Sequence, residues 1–360
     1  MSSFQDVRFF LGSKTSAGFV SYFEQLVAPD SGLWTVVFKG GPGSGKSTLM
    51  KRAASALEAM GHRVERIPCA SDVNSLDAFL DRTGAVAMVD GTSPHCMDPR
   101  YPGAADTLIN AGDAWEEAAL RTHRKEIIAL SEAVGDCHAR ASAYITAAGT
   151  LCTRGRAEAQ RYVNEPLLWE FVQGIGAQLA PSAQAGREEL RLLSAVSVGK
   201  TEFFRNTLSA LCPARYVLPD EWGAAAHRLL TMLRQQARGK GQHAIVCPCS
   251  VCPDHLEHLL LPEAGLCFTT ANAFHDASEE SAVLAEGLYR PIPAGTLSVM
   301  AELSAAAGNL IHKAEQEVAE SKALHDELEK YYVAAMDFAK MDAMLEKVLS
   351  LLTKPRKENE

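Results

Sequence analysis

The stretch Leu33-Trp34-Thr35-Val36-Val37-Phe38-Lys39-Gly40-Gly41-Pro42-Gly43-Ser44-Gly45-Lys46-Ser47-Thr48-Leu49-Met50 decides how this chain folds. Leu33 to Phe38 is a short apolar, β-branched run that reads as a buried strand. Gly40, four residues, and then Gly45-Lys46-Ser47 match G-x-x-x-x-G-K-[ST] in full, with a helical pattern from Ser47 to Met60 behind them. The glycines at 40, 41, 43 and 45 let the backbone turn its N–H groups inward around a phosphate. The helix that follows adds the positive end of its dipole. In this reading Gly40 to Thr48, including Pro42 and Ser44, bind a nucleotide. Lys46 reaches the β- and γ-phosphates, Ser47 holds Mg²⁺, and Thr48 contacts the α-phosphate region. The tail Gly199-Lys200-Thr201 is not a second such loop, because its partner glycine would fall on Ser194.

A phosphate loop needs a carboxylate to steer the metal, at the end of a neighbouring apolar strand. Ala85-Val86-Ala87-Met88-Val89-Asp90 has that form and makes Asp90 the candidate. Gly91 follows, so the adjacent glutamate of many strand-rich ATPases is missing. The segment Asp90 to Gly103 carries three prolines and two glycines and cannot be helical. Leaving the carboxyl end of its strand, it is expected to lie over the ligand crevice of an open α/β sheet. That places His95 and Arg100 near phosphates. Arg100 is the expected catalytic cation, since a loop-borne guanidinium can stabilise the transferring phosphoryl group.

Arg8 to Gly12, Gly18 to Val20, Lys39 to Ser47, the Asp90–Gly103 segment and Leu324 to Tyr332 together resemble a family of uncharacterised bacterial P-loop ATP-binding proteins, loosely labelled ATPase or nucleotide kinase. The resemblance covers most of the chain. It implies an α/β P-loop fold and ATP binding, and supplies no substrate. Many members carry two phosphate loops, and this chain departs from them there.

An internal repeat is also visible. Gly61 to Cys69 can be laid on Gly241 to Cys249 at an offset of 180. Leu76, Leu80 and His95 then meet Leu256, Leu260 and His275. Upstream an offset of 181 aligns Gly18, Phe23 and Val36 with Gly199, Phe204 and Val217. In the second copy, Tyr216-Val217-Leu218 runs into Pro219-Asp220-Glu221-Trp222-Gly223. Lys46 falls on Ala226 or His227, and Asp90 on Thr270. A loop with two acids and no lysine cannot cradle a triphosphate, so one working site and one degenerate half are expected.

The expected organisation is a P-loop NTPase fold of the α/β class with a parallel sheet, internally duplicated, plus long helical insertions. Its segments are 1–105 (the nucleotide-binding half), 106–195 (helical insertion), 196–292 (degenerate half) and 293–360 (C-terminal long helices). Thr296 to Leu352 has an apolar stripe from Leu303 through Phe338 to Val348, which suits a helical hairpin or the interface of a homodimer or partner protein. The tail from Lys354 to Glu360 is expected to fray.

Cys249, Cys252, His255 and His258 have C-x-x-C and nearby-His character suited to Zn²⁺, though the spacing is not that of a finger. Cys69 and His95 recur as Cys249 and His275. They read as a relic of the repeat or as a Cys–His nucleophile pair.

The 360 residues carry 35 Lys plus Arg against 44 Asp plus Glu, a net charge of −9, which gives no global field for nucleic acid. No apolar run suits a membrane span and no secretory leader is visible. Nine cysteines, an odd number in a chain of this size, suit a reducing cytoplasm better than a disulfide framework. The expectation is therefore a cytoplasmic Mg²⁺–ATP-binding protein. It would be an ATPase, with a nucleotide or small-molecule kinase and a non-catalytic nucleotide-sensing scaffold as alternatives. No guanine signature is visible, and GTP stays open.

Overall fold

A computed structural model describes residues 7–28, 31–93, 95–183, 185–275, 283–284 and 287–353. Pro94 of the proline-rich segment and the tail from Lys354 lie outside the described residues. In chain order the elements begin with β1 (Gly12–Thr15), β2 (Gly18–Ser21), β3 (Trp34–Lys39), α1 (Lys46–Ala59), β4 (Val64–Cys69), β5 (Asp72–Asp81), β6 (Val86–Asp90) and β7 (Asp106–Asn110). Helices α2 (Glu117–Thr122), α3 (Arg124–Ala159) and α4 (Glu165–Gln178) follow. Next come β8 (Glu188–Leu190), β9 (Ser194–Val196), β10 (Thr201–Phe203), α5 (Arg205–Leu211), β11 (Ala214–Pro219) and α6 (Ala224–Gly239). The last are β12 (Ala244–Pro248), β13 (Leu256–Leu261), β14 (Leu266–Ala271), β15 (Val283–Leu284), α7 (Ala294–Ala334) and α8 (Phe338–Leu352). The protein is thus mixed α/β, with parallel and antiparallel pairing in each large sheet.

Two compact units form, each from two stretches of chain. One takes Phe23–His138 with Ala319–Glu360, the glycine-loop unit; the other takes Met1–Tyr22 with Ala139–Val318, the companion unit. The consecutive segments expected from the sequence are therefore interleaved. The N-terminal stretch joins the companion unit because Phe10 exchanges backbone hydrogen bonds with Leu192, at 2.8 and 2.9 Å. β7 begins just past residue 105 and closes one edge of the glycine-loop sheet.

In the glycine-loop unit the sheet order is β4-β5-β6-β3-β7, with β3 parallel to both of its neighbours. Such a central strand is covered on both faces, which is why Val36, Val37 and Phe38 are fully buried. Helix α1 buries Leu49, Met50, Ala53, Ala54 and Leu57, one stripe at helical spacing. Met341, Leu345, Val348 and Leu352 of α8 complete that core. The long C-terminal run breaks before α8, where the Asp337 carboxylate accepts the backbone N–H groups of Ala339 and Lys340 as an N-cap. The apolar stripe expected across this run is interrupted there, and Phe338 is exposed.

In the companion unit the order is β15-β11-β14-β13-β12-β8. Four pairings match those of the first sheet in direction and, for the inner strands, in register. Trp34 opposes Val86 and Ala214 opposes Leu266; Ile67 opposes Ala78 and Cys247 opposes His258; Ala78 opposes Val89 and His258 opposes Thr269. Each residue of the second set lies 180 positions beyond its counterpart in the first. Both antiparallel hairpins also carry a bulge at the same place, beside Pro68 and beside Pro248. The register holds the offset at 180 through β3 and β11, so Val36 corresponds to Tyr216, not to Val217 as the 181-residue alignment has it. Between α3 and α7 this unit packs a second core, in which Ala141, Ile145 and Ala148 meet Ala307, Ile311, Ala314 and Val318.

Candidate functional site

The site is built at the carboxyl end of β3. There the chain leaves the sheet, turns through Gly40 to Gly45 and enters α1 at Lys46. Gly43 (φ +62°) and Gly45 (φ +78°) are left-handed, a conformation that costs a residue with a Cβ roughly 1–2 kcal/mol. At Gly43 a Cβ would also meet the Glu329 carbonyl oxygen at 2.8 Å. Gly45 is the N-cap of α1 and supplies no side chain, so the first N–H groups of the helix have no side-chain acceptor from the cap.

Lys46 folds back over the loop. Its Nζ donates to Gly40 O (2.7 Å), Gly41 O (2.8 Å) and Ser44 Oγ (3.4 Å), and lies 3.5 Å from Asp90 Oδ2. Asp90 ends β6 opposite Phe38, one residue before the loop strand ends. Its other oxygen accepts the Thr92 N–H (2.9 Å) and the Thr92 hydroxyl. Ser47 Oγ accepts the Leu76 N–H at 2.9 Å, which leaves its second lone pair and its proton. Thr48 is exposed and Pro42 half-buried. The loop backbone has one carboxylate on it already: the Gly43 N–H donates to Glu329 Oε1 of α7 at 3.3 Å.

The segment after Asp90 is tied to this loop. Thr92 Oγ1 lies 3.0 Å from Gly40 O, and Lys39 Nζ donates to Gly91 O (2.8 Å) and pairs with Asp98 (2.9 Å). The two residues expected to face phosphates are held elsewhere. His95 Nε2 lies 2.9 Å from Asp77 Oδ2, with its ring against Phe23. The Arg100 guanidinium lies 5.7 Å from the centre of the Tyr101 ring, while its backbone N–H donates to Asp106. Cys69 and His95 both interact with Asp77, and burial, then the Asp77 charge, push the Cys69 thiol well up. A protonated thiol is a poor nucleophile.

The corresponding loop of the companion unit is two residues shorter. The N-cap of α6 is Gly223, also left-handed (φ +73°), so Lys46 corresponds to Ala224 rather than to Ala226 or His227. Asp220, only 2% exposed, fills this turn. Its Oδ1 accepts from Trp222 N (3.1 Å), Gly223 N (2.8 Å) and the Tyr289 hydroxyl (2.6 Å), and its Oδ2 from Ala226 N (2.8 Å). Tyr289 also accepts the Ala225 N–H at 3.0 Å. Burial, then the Asp220 charge, raise the Tyr289 pKa, so it remains a donor. Sequence reading placed Asp220 in this loop but missed Tyr289, which lies 69 positions away.

The four residues grouped for zinc by spacing do not converge. Cys252 donates to Gly149 O (3.7 Å) and is flanked by the thiols of Cys152 and Cys249, which with Arg156 pull its pKa down. The His255 ring packs on His227, and His258 lies on β13 with its ring beside Glu257 and His275. Among the described residues no helix is long and apolar enough to cross a membrane. Comparison with protein-family models, curated proteins and solved structures finds no match for this chain.

Proposed function

We propose that the glycine-loop unit is a P-loop fold that binds Mg²⁺–ATP and hydrolyses it, and that the companion unit is a duplicated copy whose loop is closed. The observation that carries this reading is the Gly40–Gly45 turn, with Lys46 laid over its carbonyls and 3.5 Å from Asp90. A lysine held by backbone carbonyls exchanges those acceptors for phosphate oxygens, which bind it more strongly because they are charged. The backbone N–H groups of the turn and the amino end of α1 supply the rest of the anion cradle. In this reading Ser47 and Asp90 serve the nucleotide's Mg²⁺ as loop hydroxyl and strand-end carboxylate. The shared sheet order, the constant offset of 180 and the paired bulges support duplication.

Arg100 enters catalysis in this reading only once its guanidinium leaves Tyr101. Product analysis tests the reaction class. Free phosphate formed from Mg²⁺–ATP without an acceptor supports hydrolysis. A phosphorylated acceptor moves the assignment to a kinase, and tight binding without turnover to a sensor. Lys46→Ala is the control that must abolish whichever activity is found.

A further inference from the structure

The bulge between β12 and β13 pairs Cys247 with His258 and Pro248 with Leu256, so Glu257 is the extra residue. On a regular strand Glu257 and His258 would face opposite sides. The bulge relaxes that alternation. One ligand atom of Glu257, one of His258 and one of His275 lie within 4.8 Å of one another, and all three residues are buried.

His258 is completely buried. Its Nδ1 lies 2.7 Å from Thr269 Oγ1, while its Nε2 has no hydrogen-bond partner and lies 3.7 Å from Glu257 Oε2. That separation is too long for a hydrogen bond. In the tautomer that donates Nδ1–H to Thr269, Nε2 presents a lone pair to a buried carboxylate, an arrangement that a cation between them stabilises. Two zinc bonds of roughly 2.0–2.1 Å span 3.7 Å at an angle of about 130°, which suits low coordination numbers.

We propose that Glu257, His258 and His275 form a binding site for one divalent transition-metal ion, with zinc the best match to two imidazoles and a carboxylate. Thr269 holds the far nitrogen of His258, the kind of outer support that orients ligating histidines, and Thr270 Oγ1 lies 3.1 Å from His275 Nε2. The Phe203 ring packs on both imidazoles. Burial, then the neighbouring His275, lower the His258 pKa well below its ordinary value, so the ring is a neutral ligand. The corresponding residues of the glycine-loop unit are Asp77, Ala78 and His95. With alanine in the middle, the bulge carboxylate and the histidine bond directly at 2.9 Å. The third ligand distinguishes the companion unit.

The test titrates chelator-stripped full-length protein with Zn²⁺ against a chromophoric chelator, and with Co²⁺ by visible absorption. One equivalent per chain is expected at submicromolar affinity, without a thiolate-to-cobalt charge-transfer band. Glu257→Gln and His275→Ala should each weaken zinc by more than about 100-fold, and Thr269→Val by about 10–100-fold. Cys249→Ser and Cys252→Ser should leave affinity unchanged. Circular dichroism checks that each variant is folded, and the isosteric Glu257→Gln keeps the test decisive if His275→Ala is not. Failure to compete with the chelator, loss confined to the cysteine variants, or full affinity in Glu257→Gln would each overturn the site.

Discussion

Replacing Asp220 by asparagine tests whether the companion loop is sealed by its own anion. The carboxylate accepts three backbone N–H groups and one phenol, all within 2.6–3.1 Å. An amide in its place keeps one oxygen. If that oxygen stays with Trp222, Gly223 and Tyr289, the NH₂ group is turned on the Ala226 N–H, donor against donor. Loss of one charge-assisted bond costs about 1.5–3 kcal/mol, and the buried N–H left without an acceptor costs about 1–3 kcal/mol. The weaker response of a neutral group to the α6 dipole adds several tenths. The expected destabilisation is about 3–5 kcal/mol. For a unit of about 200 residues that lowers Tm by roughly 6–20 °C, read by calorimetry. Tyr289→Phe, which removes one donor and the acceptor for Ala225, should have a smaller effect of the same sign. Formate added to Asp220→Gly should restore part of the stability, since the N–H groups remain. A melting temperature for Asp220→Asn within about 1 °C of the wild type would refute the argument.

Three further outcomes are expected. Lys46→Ala should lower ATP affinity by at least about 100-fold, the value of two charge-assisted bonds, by calorimetry; unchanged affinity rejects the nucleotide site. Glu329→Ala frees the Gly43 N–H from a half-exposed carboxylate and should raise ATP affinity by roughly 2–5-fold, whereas a fall would make Glu329 part of the binding machinery. His227 accepts the Leu256 N–H, and burial, then the charges of His255, Arg156 and Arg228, lower its pKa to about 4 against the opposing pull of Asp254. The unfolded chain therefore binds the extra proton between about pH 6.5 and 4. Stability is full above that window and falls by on the order of 1 kcal/mol as pH drops through it, screening included. Melting temperatures measured from pH 7 to 4.5 should fall less in His227→Gln, and an identical slope would discount this histidine.

The strand, loop and helix from Trp34 to Ala59 were legible because every signal there is local. An apolar run, glycines at turn positions and a helical stripe are all read within one short window. Asp90 and the repeat at 180 were legible for a related reason, since strands of fixed register keep their spacing. What escaped depends on contacts distant in sequence. Phe10 meets Leu192 across the chain and draws the N-terminus into the companion unit. Tyr289 completes the Asp220 turn, and Glu329 lies on the Gly43 N–H. The bulge that turns Glu257 toward His258 leaves only a proline beside the slip as a sign. The Cys249-to-His258 spacing grouped four residues of which only His258 belongs to the buried Glu257–His258–His275 cluster; the other two members of that cluster were not in the group.

The two loops solve one electrostatic problem in opposite ways. A helix that begins at a left-handed glycine without a side-chain cap presents bare N–H groups and a positive dipole end, and is stabilised by an anion. Between strand and glycine the companion loop has three residues, Asp220 to Trp222, and the first of them brings its own carboxylate. The glycine loop has five, Gly40 to Ser44, none of them acidic, and adds a lysine whose Nζ rests on carbonyls. Its anion must come from outside the turn. A triphosphate can displace the half-exposed Glu329, but it cannot displace Asp220 without opening four hydrogen bonds that are already charge-assisted. Calorimetry of the intact chain should therefore give one ATP per chain. At 100 times its dissociation constant the nucleotide should stabilise the unit that binds it by about 2.7 kcal/mol. That gain should vanish in Lys46→Ala and persist in Tyr289→Phe. Two equivalent sites, or a gain lost in Tyr289→Phe, would mean that the Asp220 turn opens to ligand after all.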